Sequence, residues 1–352
     1  MVNTASKRVG PFAIWDFPLP EHVKDYTTLI ILHGFAWHSG IFMRMIPFAE
    51  QQGCRLVLVN RRDYPGSLPY TDEELEPLRS AAQHDMESPE ALAILLRYTK
   101  SRAQELYDFL CAFIQTEGLV EKSVVLVGWS FGSTWITQLL VHASSLSTGG
   151  LSLRKYIKRV VWYGSPAICM GYPTPPQSYV PLTHPSHPPG EGVKLFHTWV
   201  SGYYDHGDGS SEELEQRTPL VHPPPTISTM TTAEIDSAQC TAPGQPGGSD
   251  DLFLMSGMHQ GLWENLRKRA LLLSSTLPNA INDQGNAPSW DDMELHYVWC
   301  DQGAWQAPWV TLALKEELRE AQQTGKEARK FQAHWDQPER TLTALLSTVP
   351  EL

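Results

Sequence analysis

The sequence lacks the cysteine pattern of a disulfide-bonded or zinc-binding protein. Its five cysteines lie far apart in 352 residues and include no C-x-x-C pair. An odd number of scattered cysteines argues against a disulfide framework and a zinc ribbon, and it favours a reducing compartment, so we predict a cytoplasmic protein. His, Cys and Asp do not cluster at metal-ligand spacing either, so no metal ion is expected.

Long apolar runs, phosphate-binding loops and an excess of basic residues are also missing. No apolar stretch approaches the roughly 18 residues of a membrane helix, and no apolar region follows Lys7 and Arg8, which argues against a secretory signal. Neither G-x-G-x-x-G nor G-x-x-x-x-G-K-[ST] occurs, so no nucleotide cofactor is expected. The formal net charge of −12 disfavours nucleic acid and anionic membranes as partners. Composition leaves the oligomeric state open.

Short apolar runs separated by helical patterns are what the sequence does contain. Four nearly continuous apolar runs are typical of strands buried on both faces of a parallel sheet. They cover residues 28–32, 55–59, 123–127 and 159–163. The clearest helical pattern between them covers 89–115 and is followed by Gly118. This alternation predicts an α/β fold with a mostly parallel central sheet and helices on both faces.

The alternation stops after Tyr163 and returns only at the strand pattern of 294–299. A loop of that length is improbable, so we predict an inserted lid, or cap, over residues 166–290, with the core formed by 1–165 and 291–352. The lid is expected to contain a Pro-rich coil, an exposed and mobile Gly/Pro/Ser tract and one or two amphipathic helices. The tract covers 242–249 and the helices fall within 251–274. Beyond the lid we expect a helix over 309–323, a strand near 327–332 and a closing helix over 338–347.

The sharpest motif is G-x-S-x-G, formed by Gly128, Ser130 and Gly132. It follows a buried strand directly and precedes a helical pattern over 134–143, which is the context of a nucleophile elbow. Gly128 and Gly132, two residues before and two residues after Ser130, permit a tight strand-to-helix turn, which exposes the Ser130 hydroxyl above the sheet. We therefore expect Ser130 to be the nucleophile. The alternative is a Gly-rich turn whose serine only caps the helix.

A second motif, His33-Gly34-Phe35, ends the first apolar run. A His-Gly step there lets the chain turn so that the Phe35 N–H and the Phe131 N–H point at the same oxygen atom. These two donors are the expected oxyanion hole. The alternative is that His33 and Gly34 only close the strand.

Three segments together resemble the N-terminal half of an α/β-hydrolase-fold protein. They are His33-Gly34, the NRRDYPGS sequence of Asn60 to Ser67, and the GWSFG sequence of 128–132. The form of the second segment resembles cap-bearing fungal members of that superfamily. The resemblance covers the core and does not reach the insertion. It implies a catalytic acid and histidine that follow the nucleophile in chain order. The lid predicted from the break in the alternation then lies between the sixth and seventh strands.

The resemblance also indicates where the acid and the histidine should lie. The HWDQPE sequence of 334–339 resembles the segment just beyond the family histidine, and the VWCD sequence of 298–301 resembles the strand that delivers the acid. The usual histidine position, on the loop leaving the last strand, holds Phe331, and the usual acid position holds Gly303. We expect His334 to be the base and Asp301 the acid, each displaced by a few residues.

An alternative acid position of the family, after the strand ending at Tyr163, holds Gly164 or Ser165. His334 is alternatively a hydrogen-bonded surface histidine or one that only supports residues of the site, and Asp301 is alternatively a helix or turn cap. His33 and His38 lie close to the expected oxyanion hole, so either could act on substrate instead.

The lid is rich in aromatic residues and methionine, which suits an apolar roof over a lipophilic substrate. The residues are Trp199, Tyr203, Tyr204, Phe253, Met255, Met258 and Trp263. Alternatively they form the core of the lid itself. His259 could also reach the pocket.

We therefore predict a serine hydrolase of the α/β-hydrolase fold that acts on an ester, thioester or lactone of a lipophilic small molecule. The substrate is expected to contact His33, Gly34 and Trp129. One alternative is a non-hydrolytic enzyme on the same scaffold, a lyase, cyclase or acyl transferase of fungal secondary metabolism. The other is a catalytically silent binding protein.

Overall fold

A computed structural model describes most of the chain. The described residues are 6–19, 26–147, 149–175, 178–182, 184–188, 191–210, 213–273, 290–326, 328–329, 331–335, 342–343 and 345–346. Within these residues the centre of the molecule is an eight-stranded sheet of order β1-β2-β4-β3-β5-β6-β7-β8. The strands are β1 Lys7–Val9, β2 Phe12–Phe17, β3 Thr27–Leu32, β4 Cys54–Asn60, β5 Val124–Trp129, β6 Ile157–Tyr163, β7 Glu294–Trp299 and β8 Phe331–Trp335.

The pairing of the strands confirms the expected α/β class. Strands β3 to β8 are mutually parallel, and β1 and β2 add an antiparallel edge. The five parallel strands β3 to β7 coincide with the five strand patterns of the sequence. The edge strands β1 and β2 were not predicted, because Asp16 interrupts the apolar pattern of β2. In the folded chain its carboxylate accepts a hydrogen bond from Arg55 Nε of β4 at 2.9 Å.

Helices cover both faces of the sheet. They are α1 Ile46–Gln51, α2 Asp72–Ala82, α3 Pro89–Glu117, α4 Ser133–His142, α5 Leu153–Tyr156, α6 Ala167–Met170, α7 Glu191–Val200, α8 Thr232–Asp236, α9 Ser249–His259, α10 Leu262–Ala270 and α11 Gln306–Gln323. The prediction of the long helix α3 is confirmed. The Ser88 hydroxyl accepts the Ala91 N–H at its start, and Gly118 ends it at φ 61°. No helix among the described residues is long and apolar enough to cross a membrane.

Alternate residues of the central strands supply two separate cores, as the period of a strand requires. Leu126 and Val160 face the larger core, which includes α3 and α4. Val125 and Val161 face the smaller core on the opposite side. Because both faces are covered, the central strands are apolar almost throughout, and this made them visible in the sequence.

The chain between β6 and β7 contains helices α6 to α10. Helix α10 packs on α4, and α9 packs on α2. The prediction that 166–290 form a separate lid stays a prediction. The expectation for the tract 242–249 is wrong in part: Gln245 and Gly247 are exposed, but Pro243 is buried. A Cβ atom on Gly244 would lie 2.5 Å from Cζ of Phe35, so this tract packs on the loop that follows β3.

The last strand lies a few residues later than expected. The sequence predicts it near 327–332, whereas β8 covers Phe331–Trp335. Phe331 therefore begins the last strand, and its assignment to the loop leaving that strand is wrong. The helix α11 is found as predicted, beginning three residues earlier than expected. The predicted closing helix over 338–347 falls largely outside the described residues.

Candidate active site

Ser130 occupies the tight turn that the sequence predicts. Strand β5 ends at Trp129, residues Ser130 to Gly132 form one 3-10 turn, and α4 begins at Ser133. Ser130 has φ 52°, in the left-handed region that is unfavourable for a residue with a side chain. Such strain persists only where the surrounding structure enforces it, and it places the hydroxyl at the N-terminal end of a helix, where N–H groups are free.

Two close approaches enforce this turn. A Cβ atom on Gly132 would lie 2.4 Å from the carbonyl oxygen of His33. A Cβ atom on Gly34 would lie 2.9 Å from Cβ and 3.3 Å from Oγ of Ser130. The 2.4 Å and 2.9 Å separations are shorter than ordinary van der Waals contacts, so positions 132 and 34 both require glycine. The loop after β3 and the serine turn are therefore in direct contact.

The contact brings the expected oxyanion donors beside Ser130. Phe35 follows Gly34, and no described group accepts a hydrogen bond from its backbone N–H. Phe131 follows Ser130, and the Phe35 and Phe131 rings meet edge to face with centroids 6.1 Å apart. Trp129 is also here, because its Cε3 lies 3.2 Å from the Cβ position of Gly34. The structure thus brings together Ser130, Gly34, Phe35, Phe131 and Trp129.

His33 lies behind this loop and does not face the space above Ser130. Its side chain is fully buried, and its Nε2 accepts the backbone N–H of Arg61 at 3.0 Å. The proton must then be on Nδ1, which donates to the carbonyl oxygen of Gly34 at 2.9 Å. Burial, followed by the nearby Arg61 charge, lowers the pKa of His33 well below its usual value. Both ring nitrogens of His33 therefore bind the protein, and contact between His33 and substrate stays a prediction.

Two further histidines were considered near the site. His38 is buried, its backbone N–H donates to Ala238, and burial lowers its pKa to about 4. Its Nδ1 is buried without a partner among the described residues. His259 ends α9 and is exposed to solvent.

Among the described contacts, none joins Asp301 to Ser130, and the backbone of His334 lies on the far side of β6 and β7 from the serine turn. Asp301 is exposed in the turn after β7, where its carboxylate accepts the backbone N–H of Gln302 at 2.9 Å. The backbone of His334 lies within β8, opposite Val298 of β7. Val298 lies opposite Tyr163 of β6, and Tyr163 lies opposite Trp129 of β5. Three strand spacings, roughly 14 Å, thus separate His334 from the residue before Ser130. This register speaks against a direct hydrogen bond between His334 and Ser130.

A buried ion pair beside the site was missed by the sequence analysis. Arg61, the first residue after β4, donates from Nη1 and Nη2 to the two carboxylate oxygens of Asp250, each at 2.6 Å. Asp250 lies in the first turn of α9 and also accepts the Tyr64 hydroxyl at 2.7 Å. The NRRDYPGS motif contains both Arg61 and Tyr64. An arginine directly after a strand buried along its whole length was the available signal, but its partner is remote in sequence.

Four of the aromatic residues predicted for the lid lie in two different buried clusters. Phe253 and Trp263 are buried, and their ring centroids lie 6.0 Å and 6.1 Å from that of Phe131. Trp199 and Tyr204 belong to a separate buried cluster. Phe253 and Trp263 belong to the larger core beside the sheet, so for these two residues the alternative of a separate lid core is not found. Met255 and Met258 are exposed.

Metal-binding clusters are also absent from the described ranges, in which no three His, Cys, Asp or Glu side chains are placed to hold an ion.

Comparisons with known proteins agree with this architecture. Residues 29–344 match the sequence model of the alpha/beta hydrolase family. A search of curated proteins finds no match. Among solved structures, the chain is similar to a complex of a VrEH2 mutant with SNO, at 12% identity and a TM-score of 0.50, covering 98% of this chain and 97% of that one.

Two further solved structures are similar over nearly their whole length. A bromoperoxidase from Bacillus anthracis is 13% identical with a TM-score of 0.44, covering 97% of this chain and 99% of that one. A 1H-3-hydroxy-4-oxoquinoline 2,4-dioxygenase is 12% identical with a TM-score of 0.47, covering 97% and 98%. Likeness at these identities concerns the fold alone.

Proposed function

The chain belongs to the α/β-hydrolase family, and we propose that within it this protein is a serine hydrolase that acts on an ester, thioester or lactone of a lipophilic small molecule. The observation that carries the proposal is the strained Ser130 turn in contact with the Gly34-Phe35 loop. A hydroxyl beside a free backbone N–H is the arrangement that acyl transfer through a tetrahedral intermediate requires.

In the proposed reaction the Ser130 oxygen attacks the carbonyl carbon of the substrate. The carbonyl oxygen becomes an oxyanion, which the N–H groups of Phe35 and Phe131 stabilise. Collapse of the intermediate breaks the bond from the carbonyl carbon to the ester oxygen, thioester sulfur or lactone ring oxygen. That atom takes the proton that Ser130 has lost, and the acyl group stays on Ser130. Water then attacks the same carbonyl carbon, releases the acid and restores the hydroxyl.

Ser130 needs a base to take its proton, and the sequence assigns this role to His334 with Asp301 as its acid. The register of β8 places the backbone of His334 three strands away from the serine turn, so the observations that support our proposal are Ser130 and the two N–H donors, and the identity of the base stays a prediction. The same separation favours a second candidate, a non-hydrolytic enzyme on this scaffold, such as a lyase, cyclase or acyl transferase of fungal secondary metabolism. A catalytically silent binding protein is the remaining alternative.

A lipophilic substrate is proposed because aromatic side chains surround the serine turn. Phe35, Trp129 and Phe131 all belong to apolar clusters that meet at this turn. We propose no cofactor, nucleic-acid partner or membrane partner. The cytoplasmic location expected from the cysteine pattern stays a prediction.

The test is covalent labelling of Ser130 by a fluorophosphonate, combined with hydrolysis of short and long p-nitrophenyl esters. We expect labelling that Ser130→Ala abolishes, ester hydrolysis that falls on the order of 10³-fold or more in that variant, and a preference for longer acyl chains. Ser123→Ala is the matched control, because Ser123 lies just before the opposite end of β5 and its hydroxyl donates to the Val120 carbonyl.

Two outcomes separate the alternatives. Labelling of Ser130 without ester hydrolysis favours an acyl transferase, since the nucleophile is then active but water does not complete the reaction. Absence of labelling in a folded wild-type protein contradicts the serine mechanism and leaves a lyase, a cyclase or a binding protein.

A further inference from the structure

One buried guanidinium holds the backbone of the loop that carries the expected oxyanion donor. Arg61 donates from Nε to the carbonyl oxygen of His33 at 3.1 Å and from Nη2 to the carbonyl oxygen of Gly34 at 2.8 Å. The Gly34 C=O and the Phe35 N–H belong to the same peptide unit. Because that unit is planar and trans, its C=O and N–H point in opposite directions. A group that fixes the Gly34 carbonyl therefore fixes the direction of the Phe35 N–H.

Asp250 fixes Arg61 in turn. Its carboxylate accepts two hydrogen bonds from the guanidinium, in the forked geometry that orients an arginine most strictly. Tyr64 extends the same cluster, since its hydroxyl donates to Asp250 and accepts the backbone N–H of Ala36 at 3.0 Å. Arg61 and Tyr64 thus hydrogen-bond three backbone groups, on His33, Gly34 and Ala36, and both side chains also bind the Asp250 carboxylate.

The cluster excludes water. The side chains of Arg61 and Asp250 are 1% and 3% exposed. The Arg61 guanidinium lies over the ring of Trp135, 4.2 Å from its centroid. Burial opposes the charge of Arg61, but the Asp250 carboxylate outweighs it and raises the pKa of Arg61 above its usual value. In such surroundings a guanidinium that loses the Asp250 carboxylate must bind another partner, and its other hydrogen bonds change with it.

We propose that Arg61 is a positioning residue of the oxyanion hole and that Asp250 makes the geometry of this hole depend on the seating of helix α9. Asp250 comes from the chain between β6 and β7, whereas Arg61 and the loop of His33 to Ala36 come from the core sequence. When α9 is seated, the Phe35 N–H is directed at the oxygen that forms beside Ser130. When α9 is displaced, Arg61 loses its carboxylate and the loop loses its alignment. The catalytic part of this inference rests on the proposed function.

The molecule contains a matched control with the same chemistry. Arg267 of α10 donates to both carboxylate oxygens of Glu317 of α11, each at 3.0 Å, and the Tyr172 hydroxyl donates to Glu317 at 2.5 Å. This second cluster also joins the chain between β6 and β7 to the core. It contacts the backbone of Met170, away from the serine turn. Glu317→Gln should therefore reproduce the loss of a buried ion pair without any effect on the oxyanion hole.

The first experiment is hydrogen exchange of the full-length protein, measured by mass spectrometry, in Asp250→Asn and Glu317→Gln. We expect faster exchange in peptides covering residues 33–38 in Asp250→Asn and unchanged exchange there in Glu317→Gln. This readout needs no enzymatic activity. Unchanged exchange of 33–38 in Asp250→Asn overturns the inference, even if the protein hydrolyses esters.

The second experiment compares ester hydrolysis with binding of a trifluoromethyl ketone, whose adduct with Ser130 places an oxyanion in the hole. In Asp250→Asn we expect kcat to fall about 10²-fold with little change in KM, because an oxyanion donor acts on the transition state. The inhibition constant of the ketone should rise by a similar factor. Asp250→Glu, which keeps the carboxylate, should recover part of both losses. A merely structural role would lower stability and leave kcat per folded molecule unchanged.

If Asp250→Asn does not fold, Tyr64→Phe supplies the same test in a milder form. It removes the hydroxyl that links Ala36 to Asp250 and leaves the ion pair intact. We expect faster exchange of 33–38 and a smaller loss of kcat, and no change in either quantity overturns the inference. A wild-type protein that is inert toward esters and fluorophosphonates overturns the proposed function, and hydrogen exchange still decides whether Asp250 holds the loop.

Discussion

Replacement of Gly34 by alanine tests the geometry of the site directly. The added methyl group would lie 2.9 Å from Cβ of Ser130 and 3.2 Å from Cε3 of Trp129. Carbon atoms in contact prefer about 3.5 to 4.0 Å, so the loop and the serine turn must separate by roughly 0.5 to 1 Å. A displacement of that size between reacting groups lowers rates by about 10²-fold. Overpacking of this kind lowers the free energy of unfolding by about 1 to 3 kcal/mol.

The assay is the second-order rate constant for fluorophosphonate labelling of Ser130, measured beside urea unfolding. Gly202→Ala is the control, since its methyl group would lie 2.7 Å from Cβ of Pro219, a similar overlap in a different part of the chain. We expect both variants to lose stability and only Gly34→Ala to lose reactivity. An unchanged labelling rate in Gly34→Ala would refute the inference that contact between this loop and Ser130 sets the reactivity of Ser130.

Two further predictions concern histidines. Burial lowers the pKa of His142 to about 3, and that of His38 to about 4, against 6.5 in an unfolded chain. The unfolded state thus binds more protons below pH 6.5, so each histidine should lower the free energy of unfolding by about 1.4 kcal/mol per pH unit from pH 6.5 down to its folded pKa. Urea unfolding at pH 7, 6 and 5 measures this slope. His142→Gln, which can keep a partner for Thr99, should remove the part of the slope that His142 contributes. His334→Ala should change the labelling rate of Ser130 by less than about tenfold because of its place in β8, whereas a loss of 10² to 10⁴ would show that His334 is the general base.

The strands of the central sheet were predictable because their environment is uniform. A strand such as β4, Cys54–Asn60, is buried along its whole length, so nearly every residue in it is apolar and its limits are visible in the sequence. The edge strand β2 is different, because it contains the charged Asp16. That charge is stabilised by Lys7 and Arg55, and a pairing between residues 39 positions apart cannot be inferred from one sequence.

In the candidate site, too, some residues were predictable from the sequence and others were not. Ser130, Gly34 and the two phenylalanines were predictable, since local steric limits on a strand-to-helix turn and on a closely packed loop leave a local signature. Asp250 was not, because it meets Arg61 across 189 positions of chain and stands in no motif. The strand pattern placed the last strand early, near 327–332, and the family resemblance placed Phe331 on the loop leaving that strand. The register of β8 corrects both positions.

The NRRDYPGS motif contains two neighbouring arginines directly after β4, and each arginine binds a different part of the protein. Arg62 donates to Glu74 of α2 at 2.7 Å and to Glu105 of α3 at 2.9 Å, so it joins β4 to helices of the core. Arg61 joins the same strand end to Asp250 of α9 and to the loop beside Ser130. Both lie at the carboxyl end of β4, where parallel strands present their following loops to one edge of the sheet. Loss of the Arg62 contacts should therefore weaken the core, whereas loss of the Arg61 contacts should misalign the site first.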